Sequence, residues 1–193
     1  IPWDQTRHRI SVGTGTVSAH NAGEIRSESP YKSAFRQGAV LAPQMTLFVR
    51  EVPAGPLGSG AGRVSVESNR STYEPKTWKQ VPSLAATVET KFVRPTYLGL
   101  TTLPFRTLEP RRTVLAIDDE SVLQDSDIDD NPGLKSWWDQ AEEAWDARKS
   151  ESDKGTLLNR IDFHGQLSAQ LPPAAVRVVY TKTGNRLAAA IVR

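Results

Sequence analysis

The chain reads as an α+β fold, a mixed or antiparallel sheet of short strands packed with two or three helices. Three observations predict it. Short β-rich runs bounded by Gly and Pro recur along the 193 residues. One long stretch, from Pro132 to Trp145, repeats its apolar residues at helical spacing. The segment Ala175–Val192 opens on a β-rich run and turns back on itself at Gly184. A chain of this length can bury a sizeable core. Residues 1–28 read as an N-terminal extension or linker, and residues 29–193 as a single α+β domain.

In chain order, Ile10–Ser18 is a candidate strand broken by Gly13 and Gly15. Tyr31 and Phe35 share one face of a short helical turn that Gly38 ends. Ala39–Leu41 and Met45–Val52 read as strand, with Pro43 forcing a break between them. Pro53–Gly62 is a Gly/Pro loop, and Arg63–Ser68 alternates as a half-buried strand does. Asn69–Leu84 has no clean period, Thr87–Val93 is a strand, and Val114–Ile117 is a short buried strand. Asp118–Asp130 is a solvated loop with seven acids and no base. Asp130 or Asn131 caps the next helix, with Pro132 in its first turn and Leu134, Trp137, Trp138, Ala141 and Trp145 facing inward. A second helix starts at Ser152 or Asp153 and buries Leu157, Leu158 and Ile161. The closing hairpin runs Ala175–Thr181, turns over Lys182–Asn185 and returns along Arg186–Val192.

Composition excludes several classes. There is no Cys, hence no disulfide framework and no thiolate metal site, which fits a cytoplasmic protein. No apolar run approaches the ~20 residues a membrane helix needs, and no signal-peptide pattern is present. The chain opens at Ile1 rather than Met, and we read it as a piece of a longer protein. The net charge of +2 is unevenly placed. Through Arg112 there are 15 basic and 8 acidic residues, and from Thr113 there are 9 and 14. Such asymmetry points to one polyanion-facing surface, or else to two solvated faces that differ.

Catalytic signatures are absent from the sequence. There is no nucleophile elbow, HExxH, Walker loop or paired-Cys pattern. SVGTGTVS (residues 11–18) lacks the third Gly of a dinucleotide loop, and His8 and His20 read as polar surface residues. The acidic loop lacks the Gly and Glu of a calcium loop. His164 lies two residues from Asp162, a spacing that turns the two away from each other on a helix. No residue is therefore assigned a catalytic or metal-ligating role. The polar stretch Asn69–Leu84 does interleave cations with aromatics, as a nucleic-acid surface would. The competing reading packs Trp78 on the core and leaves the lysines in solvent.

The runs SPYKSAFRQGAVLAPQ, NRSTYEPKTWKQVPSL, FVRPTYLG, LPFRTLEP, NPGLKSWWDQAEEAW and LPPAAVRVVYTKTGNRLAAAIV occur in this order. Together, over Ser29–Val192, they resemble the C-terminal part of large bacterial N6-adenine DNA methyltransferases of restriction–modification and phage-defence systems. In that family the region follows the methylase domain and is similar to a target-recognition domain. The family's Asn-Pro-Pro-Tyr/Phe catalytic tetrapeptide is missing, and Asn131-Pro132-Gly133 is only superficially similar to it. The Gly-rich S-adenosylmethionine motif is missing too. The resemblance therefore implies a non-catalytic DNA-recognition module with no cofactor of its own. S-adenosylmethionine and methyl transfer would belong to an N-terminal methylase domain of the same protein.

The implied partners are double-stranded DNA and that methylase domain, with no membrane. Reading duplex DNA takes phosphate contacts for position and a few side chains at base edges. The candidates are Arg36, Arg63, Arg70, Lys76, Lys79, Arg94, Arg106, Arg111 and Arg112, with Tyr73 and Trp78 as stacking or wedge groups. Arg94 and Arg106 have a structural alternative, tying turns to the acidic half. Two other readings stand beside DNA recognition. One is a protein-interaction module whose acidic helix and loop dock on the methylase domain or another basic partner. The other is a hydrolase with a site the motifs do not reveal.

Overall fold

Val64, Val66 and Ser68 alternate with Arg63, Ser65 and Glu67, and that alternation sets the two faces of a five-stranded antiparallel sheet. The structure is a computed structural model that describes residues 32–56, 58–182 and 188–193. The chain divides into two compact units, Ile1–Arg36 and Gln37–Arg193. The first is described only over its last five residues, which include a 3-10 turn at Lys32–Ala34. Every strand and α-helix among the described residues belongs to the second. The candidate strand Ile10–Ser18, His8, His20, Tyr31 and the turn at Gly184 lie outside the described residues.

The sheet runs β3 (Ala85–Glu89), β2 (Arg63–Ser68), β1 (Phe48–Glu51), β7 (Arg111–Val114), β4 (Val93–Thr96). Register places Val64 beside Val88, Val66 beside Ala86 and Val114 beside Val93, so these side chains share the apolar face. On the other face Ser65 and Thr87 exchange a hydroxyl hydrogen bond of 3.1 Å, and Thr96 and Thr113 one of 2.7 Å. Two small sheets complete the strands, β5 (Thr102–Leu103) with β6 (Arg106–Thr107) and β8 (Arg177–Tyr180) with β9 (Ala189–Val192). The described chain is thus α+β with antiparallel sheets of short strands.

Four strand expectations shift, and the first, Ala39–Leu41, forms no strand. Met45–Val52 is not one strand. Gln44–Leu47 forms a helical turn (α1), and only Phe48–Glu51 is extended. Thr46 donates its hydroxyl to the Pro43 carbonyl at 2.9 Å, and Trp137 donates its indole N–H to the Thr46 carbonyl at 3.0 Å. Local closure and a buried tertiary partner override the β-propensity of these residues. Thr87–Val93 breaks at a 3-10 turn, Thr90–Phe92, between β3 and β4. The strand expected at Val114–Ile117 sits earlier, as β7, and Leu115 follows it buried in the core.

α4 (Pro132–Asp146) is the long helix, with Leu134, Trp137, Trp138, Ala141 and Trp145 all buried as their spacing predicts. It lies along the edge strand β3. Gln140 donates to the Ala85 carbonyl, and the helix start comes so close that a Cβ on Gly133 would stand 2.6 Å from the Thr87 carbonyl oxygen. Asn131 supplies no side-chain cap. The Glu89 carboxylate replaces it, accepting from the backbone N–H of Gly133 at 3.0 Å and of Leu134 at 2.8 Å. The helix start thereby meets an anion, which its orphan N–H groups favour. The acidic stretch holds a short helix, α3 (Asp125–Asp129). The helix expected from Ser152 or Asp153 is α5 (Leu157–Ile161), capped by Thr156 instead. Among the described residues no helix is long and apolar enough to cross a membrane.

Candidate nucleic-acid interface

Arg70 organises the stretch between β2 and β3. Its Nε and Nη2 donate to Glu74 Oε2 at 3.0 and 2.6 Å, its Nη2 also to the Trp78 carbonyl at 2.5 Å, and its Nη1 to the Val81 carbonyl. The guanidinium is therefore engaged within its own loop, and its planar fork fits that task as an ammonium would not. Arg70, one of the expected DNA contacts, is thus held by its own loop. It holds in place the turn that carries α2 (Lys76–Lys79). Trp78 is also held within the fold. It is 9% exposed and stacks on Trp145 with ring centroids 6.4 Å apart, so it is not a free wedge. The competing reading, Trp78 on the core and the lysines outward, describes what is seen.

The remaining candidates separate by their partners. Arg63 pairs with Glu89 at 3.0 Å and so helps hold the start of α4. Arg94 reaches Asp119 at 2.8 Å, tying β4 to the acidic loop as the structural alternative for it expected. Arg111 lies over the Phe48 ring at 5.9 Å, and Arg112 stands 4.0 Å from Glu51. Arg106 is exposed on the small β5–β6 sheet, and Arg36 is exposed in the N-terminal unit. Tyr73, Lys76 and Lys79 are what the α2 corner presents. Tyr73 is 94% exposed, and both lysines are exposed with no ion-pair partner among the described residues. The structure thus brings together the middle of the candidate list and disperses the rest.

Beside this corner lies a cleft of about 360 Å³, between α1, the α2 turn, the C-terminal part of α4 and α5. Its walls include Gln44, Tyr73, Glu74, Trp78, Trp145, Asp153 and Arg160. Gln44 Oε1 and Glu74 Oε1 are buried without a hydrogen-bond partner among the described residues. Among the described residues no three His, Cys, Asp or Glu side chains gather as a metal site. Asn131-Pro132-Gly133 does not fit the role of the family tetrapeptide, because Gly133 is buried against Thr87 and Glu89 with no room for a base. Comparison with protein-family models, curated proteins and solved structures finds no match.

Gln44, Glu74, Asp153 and Arg160 escaped the sequence reading. The one signal for any of them is the i,i+4 spacing of Arg70 and Glu74. Gln44 and Arg160 are brought to the cleft by contacts distant in the chain, which no local pattern records.

Proposed function

We propose that this chain is a non-catalytic DNA-recognition module of an N6-adenine-specific DNA methyltransferase of a bacterial restriction–modification or defence system, acting in the cytoplasm. The observation that carries the DNA half of the reading is the α2 corner, where Lys76 and Lys79 stand exposed without acidic partners among the described residues, beside the fully outward Tyr73. Unpaired lysines release counterions from phosphate on binding, and an exposed ring stacks on bases. The methyltransferase half is supported by the ordered runs that resemble that family. S-adenosylmethionine and the transfer chemistry then belong to the methylase domain of the parent protein, and no step is assigned to residues here.

The test is fluorescence anisotropy with random-sequence duplex DNA at low and moderate salt. Binding should weaken steeply with salt. Lys76→Glu together with Lys79→Glu should lower affinity about ten-fold or more and flatten the salt slope by roughly two. Arg70 is left intact in that variant because its loss would disturb the loop itself. Unchanged affinity in the double variant would sink the assignment of this face.

A second reading, docking on the methylase domain, is favoured by the β8–β9 hairpin. Val178 and Ile191 pair across it and are 62% and 65% exposed, side by side on one face. Adjacent exposed β-branched side chains mark a contact surface when they join a larger patch. Val178→Asp with Ile191→Asp should abolish association with the separately expressed methylase domain and leave DNA affinity unchanged. Association that survives this pair removes the hairpin from the docking reading.

A further inference from the structure

We propose that Phe105, at the tip of the β5–β6 hairpin, is a wedge that enters between two base pairs of duplex DNA, with Arg106 and Lys182 on the flanking phosphates. Phe105 is 95% exposed, the highest value of any large apolar side chain among the described residues. Leu103 pairs with Arg106, so Pro104 and Phe105 alone make the turn. Proline holds its own φ at about −65°. Phe105 follows it at φ 67, a seat that turns of this kind give to Gly or Asn. The fold gains nothing from the ring. Gly would suit the backbone better, and almost none of the ring is buried. A bulky residue at positive φ is an outlier, and such outliers concentrate at ligand sites.

The tip stands on a stiff base, as a wedge must. Phe105 donates its backbone N–H to the Ala189 carbonyl at 2.8 Å, and Leu108 donates its own to the Thr101 carbonyl at 2.8 Å. The buried Thr101 hydroxyl accepts from the Leu98 N–H at 2.8 Å, and the buried Thr102 hydroxyl donates to the Leu98 carbonyl at 3.0 Å. Charge selects the partner. Over residues 97–110 and 176–182 the charged side chains are Arg106, Arg177, Lys182 and Glu109, three cations against one acid, all exposed. Lys182 bonds the neutral Gln37 at 2.7 Å and keeps its charge. Its neighbour Thr181 lies beside Gly99, where an added Cβ would stand 3.9 Å from the Thr181 methyl, so this cation borders the base of the hairpin. Duplex DNA presents phosphates on either side of flat, apolar base steps, and Phe and Pro are both side chains that open such steps. The inference deepens the recognition reading and rests on it.

The experiment measures anisotropy of two labelled duplexes of the same random sequence, one carrying a single unpaired base, with vesicles of phosphatidylserine and phosphatidylcholine as a third ligand. The unaltered chain should bind the bulged duplex about ten-fold more tightly, because the step is already unstacked there. Phe105→Gly should remove that preference while the unfolding midpoint stays equal or rises, since Gly takes this φ freely. Arg106→Glu with Lys182→Glu should weaken both duplexes alike, by about ten-fold. The wedge is overturned by equal binding of the two duplexes to the unaltered chain, or by a preference that survives Phe105→Gly. Vesicle binding that Phe105→Gly abolishes, with no bulge preference, overturns it in favour of a lipid surface. Salt-sensitive duplex binding without the preference overturns the wedge alone. A preference that depends on Phe105, with affinity unchanged by Lys76→Glu and Lys79→Glu, keeps the wedge and removes the α2 corner. Binding to neither duplex overturns both.

Discussion

Arg70→Ala is expected to destabilise the fold by about 3–5 kcal/mol, the usual consequence of leaving a buried charge without its partner. The Glu74 side chain is 5% exposed, and Arg70 is its only ion-pair partner among the described residues. The substitution also frees the carbonyls of Trp78 and Val81 from the donors that close the loop. Urea unfolding followed by tryptophan fluorescence would measure the loss. Arg70→Lys should recover only part of it, because an ammonium keeps the charge but cannot present the planar fork. A residue that merely contacted phosphate would behave in the opposite way, with stability intact and DNA affinity reduced. An Arg70→Ala chain as stable as the parent would return Arg70 to the DNA face.

Glu89→Gln is expected to lower stability by about 2 kcal/mol at neutral pH, the scale of a charge-assisted hydrogen bond at a helix start. The carboxylate serves Gly133, Leu134 and Arg63 together, and Asn131 supplies no cap in its place. Burial by itself would raise the Glu89 carboxyl, but the backbone N–H groups of Glu89, Gly133 and Leu134 and the nearby Arg63 outweigh it and hold it below its ordinary value. The folded chain therefore binds this proton less readily than the unfolded chain. The contribution of Glu89 is complete above the ordinary value of 4.5 and is lost as pH falls through the lower folded value. Glu142 has the opposite sign. Burial pushes its carboxyl up, so its contribution declines as pH rises from 4.5 towards its higher folded value. Unfolding midpoints at pH 7 and pH 3 should accordingly show a smaller acid loss in Glu89→Gln than in the parent. An equal loss in both would mean that Glu89 does not hold the start of α4.

The elements legible in the sequence are those whose pattern lies within the element. Arg63–Ser68 alternates and is a strand with those bounds. The Trp-rich stripe is the buried face of α4, and the last segment pairs as β8 with β9. Met45–Leu47 misled because apolar β-formers suit a buried helical turn as well as a buried strand, and the choice fell to hydrogen bonds from Thr46 and Trp137. The site was less legible. Arg70, Trp78, Lys76 and Lys79 look alike as members of one basic, aromatic stretch, yet Trp78 is buried, Arg70 is half-buried and bonded within its loop, and the lysines face outward.

The sequence by itself determined the α+β class, the faces of β2 and α4, and the concentration of cations and aromatics before β3, since each depends on neighbours a few residues apart. Only the tertiary structure decided which charges remain available. Glu89 meets Leu134 across 45 positions and Arg94 meets Asp119 across 25, so pairing follows the fold and not the spacing. The same holds for the cleft, whose walls come from α1, the α2 turn, the end of α4 and α5. Periodicity is a local property of a chain, whereas the partner of a charge is set by where the backbone returns.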